Sequence, residues 1–146
     1  MNALLGLDFG EKRVGVAVTD EMGAIAVPLT TLAFRGRQQL LGELIKIVEE
    51  YHVAKIIVGL PKTMKGELGS QANKITAHVD WLKPQLEKPW ILWDERLTTQ
   101  EVERVLLEAD VSRAKRKGIR DRLAAQRILQ SYLDYQKLRG QTTGGL

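Results

Sequence analysis

Apolar and polar positions along the chain fall into two regimes. The first third has the two-residue period of strands. Leu4–Leu7 is an apolar run, and Arg13–Thr19 alternates, with Val14, Val16 and Val18 on one face and Gly15, Ala17 and Thr19 on the other. Gly10–Lys12 turns the chain between them, and a third extended run, Ala24–Thr31, is entered through Met22–Gly23. Connections this short predict an antiparallel meander.

From Arg37 the period lengthens. Leu40, Leu41, Leu44, Ile45 and Val48 recur at helical spacing within Arg37–Tyr51. Lys55–Leu60 is a short apolar run stopped by Pro61, the pattern of a buried parallel strand. A polar loop, Lys62–Gly69, leads to a second helix, Ser70–Leu82, striped by Ile75, Val79 and Leu82. Pro84 and Pro89 bracket a linker before another apolar strand, Trp90–Trp93. Thr98 and Glu101 have capping-box spacing and predict a third helix ending near Ala109. A basic loop follows, then a last helix, Arg120–Leu138, with Ala124, Ala125, Ile128, Tyr132 and Tyr135 near one face. Strands first, then strand–helix alternation, predict one α/β domain over residues 1–138, a mixed five-stranded sheet with helices on both faces. Residues 139–146 are expected to form a flexible tail.

Composition narrows the chemistry. The 146 residues are 44% hydrophobic and 27% charged, which fits one ordinary globular domain and argues against global disorder. There is no Cys, hence no disulfide framework, Cys-based zinc site or thiol nucleophile, which fits a reducing cytosol without establishing it. No signal peptide is expected at the N-terminus, and no apolar run approaches the roughly 18 residues of a membrane helix. The two histidines, His52 and His78, fall at unrelated helical positions and read as surface or packing residues.

Three acidic positions stand out. Asp8 ends the first apolar strand and shares a face with Gly6; if Gly15 and Ala17 flank that face, a ligand has room to reach the carboxylate. A turn role at Asp8–Gly10 accounts for the same residue equally well. Asp94–Glu95–Arg96 follows the Trp90–Trp93 strand, and since strand neighbours face opposite ways, only one of the two acids serves a given site. Asp121 lies one helical turn before Ala124 and Ala125, which turns it toward the buried stripe, although an acid there also suits the helix dipole. Brought together, three such carboxylates would repel and raise one another's pKa unless a cation lay between them. Hard oxygen donors without Cys or His select Mg²⁺ or Mn²⁺ over zinc. Two such ions about 3.5–4 Å apart could hold a phosphodiester, activate water and stabilise the leaving oxygen.

Net charge is +4, from 22 basic and 18 acidic residues, and its distribution carries more than its size. Arg113, Lys115, Arg116, Lys117, Arg120 and Arg122 surround a single acid, Asp121; a run this dense points to nucleic-acid phosphates. Lys12–Arg13, Arg35–Arg37 and Lys62–Lys65 are smaller cationic groups. Taken singly, each of these smaller groups is better accounted for as solvated surface; read together, the nucleic-acid contacts expected are Lys12, Arg13, Lys62, Lys65, Arg113, Lys115, Arg116 and Lys117. The loop KTMKGELGS (Lys62–Ser70) could cradle a phosphate at the following helix start, though no Gly-Lys-Ser/Thr closes it as in a P-loop. A plain surface loop accounts for it as well.

Four motifs, GLDFGEKRVGVAVTD (Gly6–Asp20), GLPKTMKGELG (Gly59–Gly69), WDERLTTQE (Trp93–Glu101) and DRLAAQRILQSYL (Asp121–Leu133), resemble in order those of the YqgF/RuvX family. These are bacterial Holliday-junction-resolvase-like proteins, also described as pre-16S rRNA nucleases. The resemblance runs from about Leu4 to Leu138; Thr19, where Ser is common, is a minor departure. It implies a ribonuclease H-like fold, a cytoplasmic setting, Mg²⁺- or Mn²⁺-dependent phosphodiester hydrolysis and maturation of the 5′ end of small-subunit rRNA. It implies Asp8, Glu95 and Asp121 as catalytic and metal-holding acids, with Asp94 kept open for the middle position. Precursor rRNA and branched DNA both remain as substrates, a monomer and a homodimer as assemblies. A non-catalytic RNA-binding assembly factor is the reading without enzymatic activity.

Overall fold

The computed structural model describes residues 3–20, 22–61, 69–94 and 113–144, with the side chains of the last segment described over 121–137. Its elements are β1 (Ala3–Phe9), β2 (Arg13–Thr19), β3 (Ala26–Ala33), α1 (Arg37–Tyr51), β4 (Val53–Leu60), α2 (Ser70–Leu82), β5 (Trp90–Asp94) and α3 (Arg113–Gly144). The strands form one five-stranded sheet in the order β3-β2-β1-β4-β5. β1, β2 and β3 pair antiparallel, as their short turns require, whereas β4 runs parallel to β1 and to β5 after helical crossovers.

Alternation along the strands divides the core in two. Leu5, Leu7, Phe9, Val14, Val16, Val18, Ile56 and Val58 face α1 and α2, meeting Leu40, Leu44, Ile75, Val79 and Leu82. On the other face Ala17 and Ile57 pack against Ala125, Ile128, Leu129 and Tyr132 of α3, flanked by Ile91 and Trp93. The mixed sheet with helices on both faces is thus present as the hydrophobic pattern predicts.

Several boundaries differ from the sequence expectation. β3 begins at Ala26, not Ala24, because Asp20 organises the preceding turn: its Oδ1 accepts the backbone N–H of Ala24 (3.0 Å) and of Ile25 (3.3 Å). Gly23 takes φ +71° there, a conformation glycine adopts without steric cost. His52 is not within α1 but caps its C-terminus in the left-handed region, φ 53°, its N–H donating to Val48 O. The segment 113–119, expected as a basic loop, is the first part of α3, and that helix continues past Leu138 to Gly144. Lys, Arg and Ala are strong helix formers, and their propensity carries the helix through the charge run. The predicted helix from Thr98 to Ala109 and most of the loop from Lys62 lie outside the described residues.

Candidate active site

Asp8 stands near the carboxyl end of β1, paired across the ladder with Gly15 of β2. Cross-strand partners point to the same face, so Asp8, Gly15, Gly6 and Ala17 share the face covered by α3. Asp8 is half-buried. The glycines set the distance between helix and sheet. A Cβ on Gly6 would stand 2.8 Å from Leu129 Cβ and 3.0 Å from the Ala125 carbonyl oxygen. A Cβ on Gly15 would stand 1.8 Å from the Asp121 carbonyl oxygen and 3.1 Å from the Arg122 nitrogen. The backbone of Asp121 therefore lies directly over the residue paired with Asp8. Asp121, Ala125 and Leu129 recur every fourth residue, one stripe of α3 laid across β2 and β1.

Glutamines that the sequence analysis did not single out hold α3 in this position. Gln130 Oε1 accepts the Ala26 N–H at 2.8 Å, and Gln126 Nε2 donates to the Ala26 carbonyl at 3.1 Å. Two glutamines four residues apart, beside the apolar stripe, were the available signal. At the other sheet edge Trp93 Nε1 donates to Ser131 Oγ at 3.1 Å, and its ring meets Tyr132 edge-on at 5.3 Å. Thr19, the minor departure noted above, is buried, and its Oγ1 accepts the Leu4 N–H at 3.0 Å.

The second acidic position divides by face. Gly59 pairs with Trp93 and Leu60 with Asp94. Trp93 packs on the α3 side and Leu60 on the α1–α2 side. Asp94 therefore shares the face of Leu60, away from Asp8. Glu95 lies outside the described residues, as do Lys62 and Lys65. Among the described residues no three Asp, Glu, His or Cys side chains gather into a metal-holding group. Asp8 and Asp121 are half-buried carboxylates on facing elements, β1 and α3. That donor set suits a divalent ion of the Mg²⁺ or Mn²⁺ kind.

Of the cationic residues, Lys12 is exposed on the β1–β2 turn and Arg13 is half-buried on the α3 face, two residues before Gly15. Arg13 Nη1 is buried without a hydrogen-bond partner among the described residues. Such orphans are uncommon in folded proteins and mark strain, a bound water or ion, or a functional role. Arg113, Lys115, Arg116 and Lys117 all belong to the amino-terminal part of α3, which leads into Asp121.

His78 stacks on Phe9, ring centroids 5.8 Å apart, and meets Phe34 edge-on at 4.8 Å. Its Nδ1 accepts Arg37 Nε at 3.0 Å. Burial, and secondarily the Arg37 guanidinium, hold the imidazole below its ordinary pKa of 6.5. It packs as the sequence suggests, on the sheet face opposite Asp8.

Comparison with known proteins follows the same lines. A relative from Thermoanaerobacter pseudethanolicus is 52% identical over 135 residues, covering 92% of this chain and 97% of its own. One from Halothermothrix orenii is 46% identical over 138 residues, covering 94% and 99%. Both carry the name "Putative pre-16S rRNA nuclease". Among solved structures, Thermus thermophilus RuvC in complex with a Holliday junction substrate superposes with a TM-score of 0.59 at 13% identity, covering 94% of this chain and 96% of that one. The fowlpox virus resolvase, with its junction DNA, gives 0.57 at 11% identity, covering 91% and 97%. At these identities the likeness establishes the fold, which is ribonuclease H-like. The family model described as "RuvX: Holliday junction resolvase" matches residues 2–135, and with relatives this similar over nearly their whole length the chain belongs to the RuvX family.

Proposed function

We propose that this chain is a divalent-metal nuclease that hydrolyses phosphodiester bonds in structured RNA and matures the 5′ end of precursor 16S rRNA in the cytoplasm. The observation that carries the reading is the approach of α3 to β1–β2 at Gly15, where the Asp121 backbone lies over the residue paired with Asp8. In this reading Asp8 and Asp121 hold Mg²⁺ or Mn²⁺, and Glu95 completes the set. The face taken by Asp94, away from Asp8, counts against Asp94 and so supports Glu95 for the middle position. A bound ion would polarise the scissile phosphate and make the attacking water more acidic.

The chain's own residues do the remaining work. Carboxylates crowded at one place favour a bound cation over mutual repulsion. Arg13, half-buried on the α3 face two residues from Gly15, is suited to take a phosphate oxygen of the strand. Lys12, Lys62, Lys65 and the cations of early α3 supply sequence-independent attraction to the backbone.

The names of the relatives favour RNA as substrate, and the description of the family model favours junction DNA. A resolvase must present two sites to a symmetric junction, so that reading needs a homodimer. Labelled precursor rRNA and a four-way DNA junction, each incubated with purified protein in Mg²⁺, Mn²⁺ or EDTA, decide between them. The account expects metal-dependent cutting of the RNA. Selective cutting of the junction would make the protein a resolvase, and binding without cutting of either would make it an assembly factor.

A further inference from the structure

A cavity of about 350 Å³ opens at the carboxyl end of β1, on the sheet face opposite Asp8. Its inner wall is formed by Phe9, Phe34 and His78, and its mouth by Glu11, Gln71 and Lys74. Gln71, Lys74, Ile75 and His78 follow one another at helical spacing, so a single face of α2 closes one side. The opposite side is held by the β1–β2 turn: Gly10 N–H donates to Arg13 O at 2.7 Å and Phe34 N–H to Lys12 O at 2.8 Å. The aromatic wall is braced before any ligand arrives, because Arg37 fixes the His78 ring and Phe9 and Phe34 pack edge-on at 6.1 Å.

We infer that this cavity holds an unpaired nucleobase of the strand being cut, next to the phosphate at Asp8. The inference rests on the nuclease reading and deepens it. Asp8 and Phe9 are consecutive, their Cα atoms about 3.8 Å apart, and they point to opposite faces at the same strand end. A strand engaged at Asp8 needs only to pass over the end of β1 to bring a neighbouring nucleotide to the cavity that the buried Phe9 floors. The lining has the chemistry of a base: the half-buried rings of Phe34 and His78 to stack on, over a buried Phe9, and at the mouth an amide that both donates and accepts, a carboxylate that accepts and an ammonium that donates. Lys74 is also placed to meet the attached phosphate. Burial keeps His78 uncharged at neutral pH, which suits a stacking surface. A duplex keeps its bases stacked inside, so such a site selects a loop, a bulge or a single-stranded flank.

The test measures binding apart from cleavage. Asp8→Asn protein, and wild type in EDTA as a second preparation, are titrated with a short unpaired RNA in which one residue at a time lacks its base. Loss of the base at a single position should weaken binding about tenfold, the scale of one stacked base. Phe34→Leu and Gln71→Ala should weaken the intact RNA similarly and abolish the penalty at that position. Equal affinity for every base-deleted RNA, or a penalty that survives both substitutions, overturns the subsite and leaves the nuclease reading standing. Failure of both preparations to bind any oligonucleotide overturns the two together.

Discussion

Gly15 and Asp121 meet so closely that no side chain fits between them: a Cβ on Gly15 would lie 1.8 Å from the Asp121 carbonyl oxygen. Glycine is required here by space and not by backbone conformation. Gly15→Ala must push α3 off the sheet and should cost about 1–3 kcal/mol in urea denaturation. Gly6→Ala, whose nearest obstacle is Leu129 Cβ at 2.8 Å, should cost less. Equal midpoints for Gly15→Ala and wild type would mean that helix and sheet are farther apart than described.

Arg13 should trade stability for binding. A buried donor without an acceptor carries a desolvation cost of about 1–3 kcal/mol, and Arg13 Nη1 has none among the described residues. Arg13→Met keeps much of the apolar stem and removes the orphan, so it should melt no lower than wild type while losing affinity for RNA. A variant that melts lower and binds normally would make Arg13 a structural residue.

The His78 imidazole gives a signed pH dependence. Its folded pKa lies below the ordinary 6.5, so the unfolded chain takes up a proton first as pH falls. The contribution is complete above about pH 6.5, declines as pH drops toward the folded value and is flat below it. The ring should titrate by NMR with a midpoint below 6.5, and His78→Gln should show a smaller loss of urea stability between neutral and mildly acidic pH. A midpoint at or above 6.5 contradicts the burial and the Arg37 contact.

How much of this was legible in the chain varies with the reach of the interaction. The β1–β2 hairpin, with Asp8 on the face of Gly6 and Gly15, follows from alternation and turn length, both local. The start of α3 did not: a same-sign run from Arg113 to Arg120 suggested a loop, yet helix propensity extends the helix through it. The contact of Gly15 with Asp121 joins segments far apart in sequence and is set by α3 packing and by Gln126 and Gln130 on Ala26; the spacing of the glutamines marks a helix face but not the strand it meets. The orphaned Arg13 and the Phe9–Phe34–His78 cavity likewise exist only once three elements are assembled.

Metal binding should appear in the melting curve. On the proposed site Mn²⁺ binds the folded chain and finds little in the unfolded one, so a hundredfold excess over Kd should stabilise by about 2.7 kcal/mol. Asp121→Asn should erase much of this gain and, by removing an acid from the cluster, should not lower stability in EDTA. If Asp121 served only the helix dipole, the variant would lose about 0.3–1 kcal/mol without metal and keep the full metal response.

The most direct measurement is the rate of precursor rRNA cleavage in Mn²⁺ by wild type, Asp8→Asn, Glu95→Gln and Asp94→Asn, each confirmed folded by circular dichroism. Direct metal ligands should matter at least as much as the outer partners worth 10–100-fold, so Asp8→Asn and Glu95→Gln should slow cleavage by about 100-fold or more. Asp94→Asn, on the opposite sheet face, should be the mildest of the three. Cleavage by Asp8→Asn at the wild-type rate would reduce Asp8 to a turn residue and contradict the site.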